Sequence, residues 1–175
     1  MVLDLNKTSQ QSDELKTIKI VESGINFDAI KYRGFRTKIE KVWIDKDAIN
    51  WYSGPINEQG QRTYNPNSTE KMWKVVVETY PLPILDDDGK ATDKIVSFMK
   101  DENGNALPYR VSARFNLTFR DGEWVVSKFQ RAKLWPFLRK LGARDISEIK
   151  DKFVVLDTSP DRDESSEKVW LRIST

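Results

Sequence analysis

The stretch RVSARFNLTFRDGEWVVSKFQR, residues 110 to 131, constrains the fold more than any other in the chain. Val111, Ala113, Phe115, Leu117 and Phe119 alternate without a break with Arg110, Ser112, Arg114, Asn116, Thr118 and Arg120. Such alternation marks a strand with one face against a core and the other in water. Asp121-Gly122 then leads into a second β-rich run, and this pair suits a two-residue hairpin turn, whose central positions both need positive φ. The turn sets an expected register. Phe119 should oppose Trp124, and Leu117 should oppose Val126, on the core face. On the other face Arg120 opposes Glu123, Thr118 opposes Val125, Asn116 opposes Ser127, Arg114 opposes Phe129, and Ser112 opposes Arg131. Phe129 bracketed by Arg114 and Arg131 is the leading candidate for a binding surface.

Other segments read as strands from their β-branched richness: KTIKIVE at 16–22, TKIEKVWI at 37–44, KMWKVVVETY at 71–80, KFVVLD at 152–157 and KVWLRI at 168–173. Asp45-Lys46-Asp47 is either a tight turn or a bulge in one strand running on to Tyr52. Residues 1–16 read as a loose arm and 17–175 as a single domain. Residues 81–108 form an inserted excursion with at most a small hairpin or short helix of its own. In KLWPFLRKL, Leu134, Phe137, Leu138 and Leu141 fall at i, i+3, i+4 and i+7, predicting a short amphipathic helix. Pro136 sits in its first turn and Gly142 at its C-terminal cap. Asp145 and Glu148 resemble a capping pair for one more helical turn. The fold class expected is mostly β with one or two short helices.

Composition narrows the chemistry. The 175 residues contain no Cys and no His, which removes disulfides, thiolate nucleophiles, imidazole bases and zinc sites built on those ligands. The chain is 38% hydrophobic with six Trp, enough for a core, and its net charge is only +2, so attraction to nucleic acid must be local. No run is long and apolar enough for a membrane span, and the start lacks the pattern of a signal peptide. An intracellular protein with no membrane association and no cofactor is expected.

Three features bear on function. WYSGPINEQGQRTY, residues 51–64, places Trp51, Tyr52 and Tyr64 at the ends of a polar loop. They are either base-stacking platforms or anchors, with Trp51 plugging the sheet and Tyr64 pinning the loop. Lys128, Arg131, Lys133, Arg139, Lys140 and Arg144 form one basic run without an acid, and Lys31, Arg33, Arg36, Lys38 and Lys41 form another with only Glu40 against it. Each is a solvated face or a phosphate-binding one. Asp86, Asp87 and Asp88 before Gly89 suit a turn better than a calcium loop, because Ser97 stands where a bidentate Glu is required.

The order strand, long loop, strand, excursion, DG hairpin, short helix and final strand pair resembles OB-fold single-stranded-DNA-binding proteins over residues 37–173. The resemblance implies an elaborated OB-like barrel binding single-stranded DNA or RNA, as a monomer or a homo-oligomer. WYSGPINEQGQRTY would be the first binding loop, Trp73 to Tyr80 and Arg110 to Arg131 the binding sheet, and TSPDRDESSE the last loop. OB barrels usually carry their helix between strands 3 and 4, so residues 110–131 must then be a split third strand or include an extra one. The binding residues expected are Trp51, Tyr52, Tyr64, Trp73, Arg110, Arg114, Lys128, Phe129, Arg131 and Lys133. The alternatives are a β-rich protein-interaction module with an aromatic interface and, third, a nuclease using Glu40, Asp45 and Asp47 to hold a metal.

Overall fold

The computed structural model describes residues 28–129, 132–159 and 170–175. The expected strand at 16–22, Arg131 and most of the acidic loop therefore lie outside the described residues. Five strands form one antiparallel sheet: β1 (Arg36–Ile49), β2 (Lys71–Thr79), β7 (Ser112–Asn116), β10 (Phe153–Ser159) and β11 (Trp170–Ile173), in the order β11-β10-β1-β2-β7. Between β2 and β7 the excursion folds into two small hairpins, β3 (Pro83–Leu85) with β4 (Ala91–Ile95), and β5 (Met99–Lys100) with β6 (Ala106–Leu107). After β7 come β8 (Thr118–Arg120), β9 (Glu123–Val125) and the helix α1 (Leu134–Lys140). The mostly β expectation holds. The OB-like barrel is not established by the sheet, which is not closed: no hydrogen-bonded ladder joins the edge strands β7 and β11 among the described residues.

Asp45 to Asp47 is a bulge rather than a turn, for the β1–β2 register shifts between Asp45 and Ala48 while the strand continues to Ile49. The Asp45 carboxylate accepts the Asp47 N–H at 3.0 Å, which absorbs a donor that the ladder leaves over. Three tips share one design. Asn57, Asp86 and Asp101 each accept the N–H groups two and four residues on, with a positive-φ glycine (Gly60, Gly89, Gly104) between. The DDDG segment is thus a turn.

Asp121 and Gly122 adopt φ of 52° and 80°, and Phe119 opposes Trp124, Arg120 opposes Glu123 and Thr118 opposes Val125, as the sequence predicts. The rest of the expected hairpin register fails. Arg114 opposes Val76 rather than Phe129, Asn116 opposes Lys74 rather than Ser127, and Ser112 opposes Glu78. The reason is competition: β2 offers Val75 and Val77 as buried partners for Phe115 and Ala113, so β7 joins the sheet while β8 and β9 peel away. Residues 110–131 therefore hold both a split third strand and an extra one. Burial changes too. Phe115 and Leu117 are buried, Trp124 and Val126 half-buried, and Phe119 is 60% exposed rather than in the core. Trp124 takes the place on the sheet by stacking on Trp73 (5.8 Å, 11°), and Phe119 lies against Trp124 from outside.

The core lies on one face of the sheet. Ile39, Val75, Val77, Phe115, Val154, Leu156 and Ile173 point into it, and Leu134, Phe137 and Leu138 of α1 cover them. Gly142 at φ 68° ends α1, with the Ala143 N–H returning to the Leu138 carbonyl at 2.9 Å. The Asp145 side chain caps the 3₁₀ turn Ile146–Glu148 by accepting the Ser147 N–H at 2.8 Å. Among the described residues no helix is long and apolar enough to cross a membrane.

Candidate nucleic-acid interface

The loop between β1 and β2 is built, not slack. The Asn50 N–H bonds the Glu70 carbonyl at 2.8 Å, and the Ser68 hydroxyl donates to the Asn50 carbonyl at 2.7 Å, closing its base. Further out, Gly54 and Thr63 pair (Gly54 N–H to Thr63 O, 2.9 Å), and Ile56 bridges Arg62. Gly54 is required there because a Cβ would sit 2.8 Å from the Thr63 carbonyl oxygen. Arg62 clips the arm down, donating to both Glu70 oxygens at 2.9 and 2.7 Å and to the Ser53 carbonyl at 3.0 Å.

On this frame stand the three rings. Tyr64 lies 6.4 Å from Trp51 and 6.1 Å from Tyr52, centroid to centroid, and Trp51, Tyr52 and Tyr64 are 42%, 64% and 60% exposed. The expectation that Trp51 plugs the sheet is therefore corrected: it stands beyond the end of β1, 42% exposed among the described residues. The Arg62 guanidinium holds the Glu70 carboxyl below its usual range. A depressed folded-state pKa stabilises above the unfolded value of about 4.3 and is lost as pH falls through the folded one. The clip is thus expected to survive at about pH 5 and to open only below the ordinary Glu range. Glu70 and Arg62 side-chain NMR shifts followed against pH would check it, and an opening near neutrality would contradict it.

The outer face of the sheet continues from the loop. Residues paired across antiparallel strands share a face. Since Val75 and Val77 face the core, Val76 lies on the opposite face, 2% exposed, with Trp43 on one side and Arg114 on the other. Asp45, Lys74 and Asn116 form the next row, and Lys41, Glu78 and Ser112 the row before. Arg114 pairs with Asp45. The Asp47 N–H first, and then Arg114, hold Asp45 below the usual carboxylate range. Arg110 pairs with Glu40 and lies 3.7 Å from Glu78. With Glu40 and Asp45 so engaged, no three carboxylates gather as a metal site among the described residues.

The predicted residues thus fall in four places, with Arg131 outside the described residues. Trp51, Tyr52 and Tyr64 stand together on the loop. Arg110 and Arg114 lie on the sheet face, but both are in ion pairs. Trp73 is on the core side, half-buried, with Trp124 stacked on it and the Lys46 ammonium 4.6 Å from its ring. It offers no free ring face outward. Lys128, Phe129 and Lys133 form a separate region beyond β9. Phe129 is 71% exposed and, with Arg120, Lys128, Thr118 and Ser127, lines an open depression of about 500 Å³. The Lys128 ammonium rests 4.5 Å from the Trp135 ring, and Lys133 is exposed just before α1.

Sequence reasoning missed Trp43 and Phe153. Both are exposed, and alternation within VWID and KFVVLD marks them as facing opposite to their buried neighbours only once the pairing partners are known. No family model, no curated protein and no solved structure matches the chain.

Proposed function

We propose that the protein binds single-stranded nucleic acid with little base preference, by stacking bases on aromatic rings and pairing phosphates with Lys and Arg. The observation that carries this is the triad Trp51, Tyr52 and Tyr64, three solvent-facing rings held by an ordered, hydrogen-bonded loop at the rim of an open sheet face. Rings that merely pinned a loop would be buried beneath it. A flat face on a rigid mount costs little entropy when a base stacks on it. The position of α1 between the third and fourth strands of the sheet also supports the OB-like reading.

The test is fluorescence anisotropy with a labelled single strand and its duplex at several salt concentrations. Single strand should bind better than duplex. Each neutralised phosphate contributes about −0.7 to the log–log salt slope, so three engaged cations give about −2. Absence of binding at low salt would end this reading. It would favour instead a protein-interaction module, for which exposed Ile95, Met99 and Leu107 on the excursion hairpins would be the apolar contact.

A further inference from the structure

We propose that the bound strand runs along β1 to a second station formed by Phe153, Arg36 and Lys38, with Lys41 and Trp43 between this station and the loop rings. This rests on the reading of the protein as a single-strand binder. Its basis is the charge balance of the outer sheet face. Four acids there are engaged by the protein's own cations: Glu40 by Arg110, with Glu78 beside the same guanidinium, Asp45 by Arg114, and Asp157 by Arg172 at 3.4 Å, while Asp151, next to β1, accepts the Tyr80 hydroxyl at 2.8 Å. Asp47 of β1 has no ion-pair partner among the described residues, yet the balance along the strand stays positive, because no carboxylate of the described residues pairs with Arg36, Lys38 or Lys41.

The register puts these charges beside a ring. Lys38 opposes Phe153 and Arg36 opposes Val155, on the face opposite to buried Val154 and Leu156. The Arg36 guanidinium lies 4.0 Å from the Phe153 ring centroid and the Lys38 ammonium 4.8 Å from it. Phe153 remains 48% exposed and is not among the core side chains, so packing gives no reason for an aromatic there. Two cations that no described carboxylate pairs, set against one exposed ring on a rigid strand, match a phosphate and its base better than an apolar protein surface. Lys41 and Trp43 continue the strip toward the loop, since both share the outward face of β1. The occupant is therefore an anionic chain carrying flat groups, single-stranded nucleic acid.

The experiment compares labelled homopolymers of roughly 5 and roughly 16 nucleotides, a span typical of one binding domain and its longer modes. The full chain is used, as wild type, as Phe153→Ala and as the double variant Arg36→Gln, Lys38→Gln, which keeps both side-chain stems. Both variants should bind the long strand about tenfold more weakly and the short one as wild type does. The double variant should also flatten the long strand's salt slope by about 1.4, two phosphates' worth. If Phe153→Ala also lowers the melting temperature, the double variant decides. Unchanged affinity for the long strand in both variants, or an equal loss on the short strand, would overturn the second station and leave the proposed function standing. Binding of neither oligonucleotide by the wild type would overturn both.

Discussion

Phe137→Ala is expected to remove about 3–5 kcal/mol of stability, the usual loss for truncating a buried aromatic. Phe137 is 1% exposed at the centre of α1, and its ring stacks on Phe115 of β7 at 4.8 Å and 25°. That contact fastens the helix to the third strand of the sheet, and neighbouring Leu134 and Leu138 cannot close the hole without moving the helix. A domain of this size shifts by roughly 2–4 °C per kcal/mol, so the melting temperature should fall by about 6–20 °C. Phe119→Ala is the control. Its ring is exposed and touches Trp124 only from outside, so about 1 kcal/mol or less should be lost, the worth of one exposed aromatic pair. Urea denaturation of both variants reads the difference. Equal losses would mean that the hairpin β8–β9 belongs to the core after all.

This contrast also shows what local sequence carries. Asp121-Gly122 dictates a turn by its own backbone preferences, so the three residue pairs nearest the tip were legible from the sequence. Farther from the tip, Arg114 and Asn116 had a choice of partner. The choice went to β2, whose valines lie some forty positions away along the chain, and no local pattern reports that. Alternation likewise tells that Phe119 and Leu117 share a face, yet not whether anything covers both. Leu117 is covered by the core, whereas Phe119 projects past it. The helix was legible because its apolar stripe is local.

The candidate site follows the same rule. Trp51, Tyr52 and Tyr64 were visible as rings around a polar loop, and of the residues that clip that loop, Arg62 lies within it and Glu70 follows it closely in sequence. The pairing of Arg110 with Glu40 and of Arg114 with Asp45 spans far more chain, and it turns two expected phosphate ligands into internal partners. Arg36, Lys38 and Lys41, by contrast, pair with no carboxylate of the described residues. Which basic cluster faces a ligand therefore depends on tertiary neutralisation, which composition cannot supply.

Tyr64→Ala is expected to weaken single-strand binding by about 1–3 kcal/mol, the worth of one stacked base, or roughly 5- to 150-fold in affinity. Tyr64 is the side chain to choose because its ring neighbours both Trp51 and Tyr52, so its loss also releases the other two platforms. The loop itself should persist, since its frame is made by backbone pairs at Gly54 and Thr63 and by the Arg62–Glu70 clip, none of which uses the Tyr64 ring. Stability should therefore fall by about 1–2 kcal/mol at most, the worth of two exposed aromatic pairs. The salt slope should not change either, because an uncharged ring releases no counterions. Tyr64→Phe keeps the stacking face and should bind as wild type does. An anchoring role gives a different pattern: a larger fall in melting temperature, with affinity falling only because the loop collapses. Unchanged affinity with an intact fold would remove this loop from the interface, and the sheet face along β1 would have to carry the binding alone.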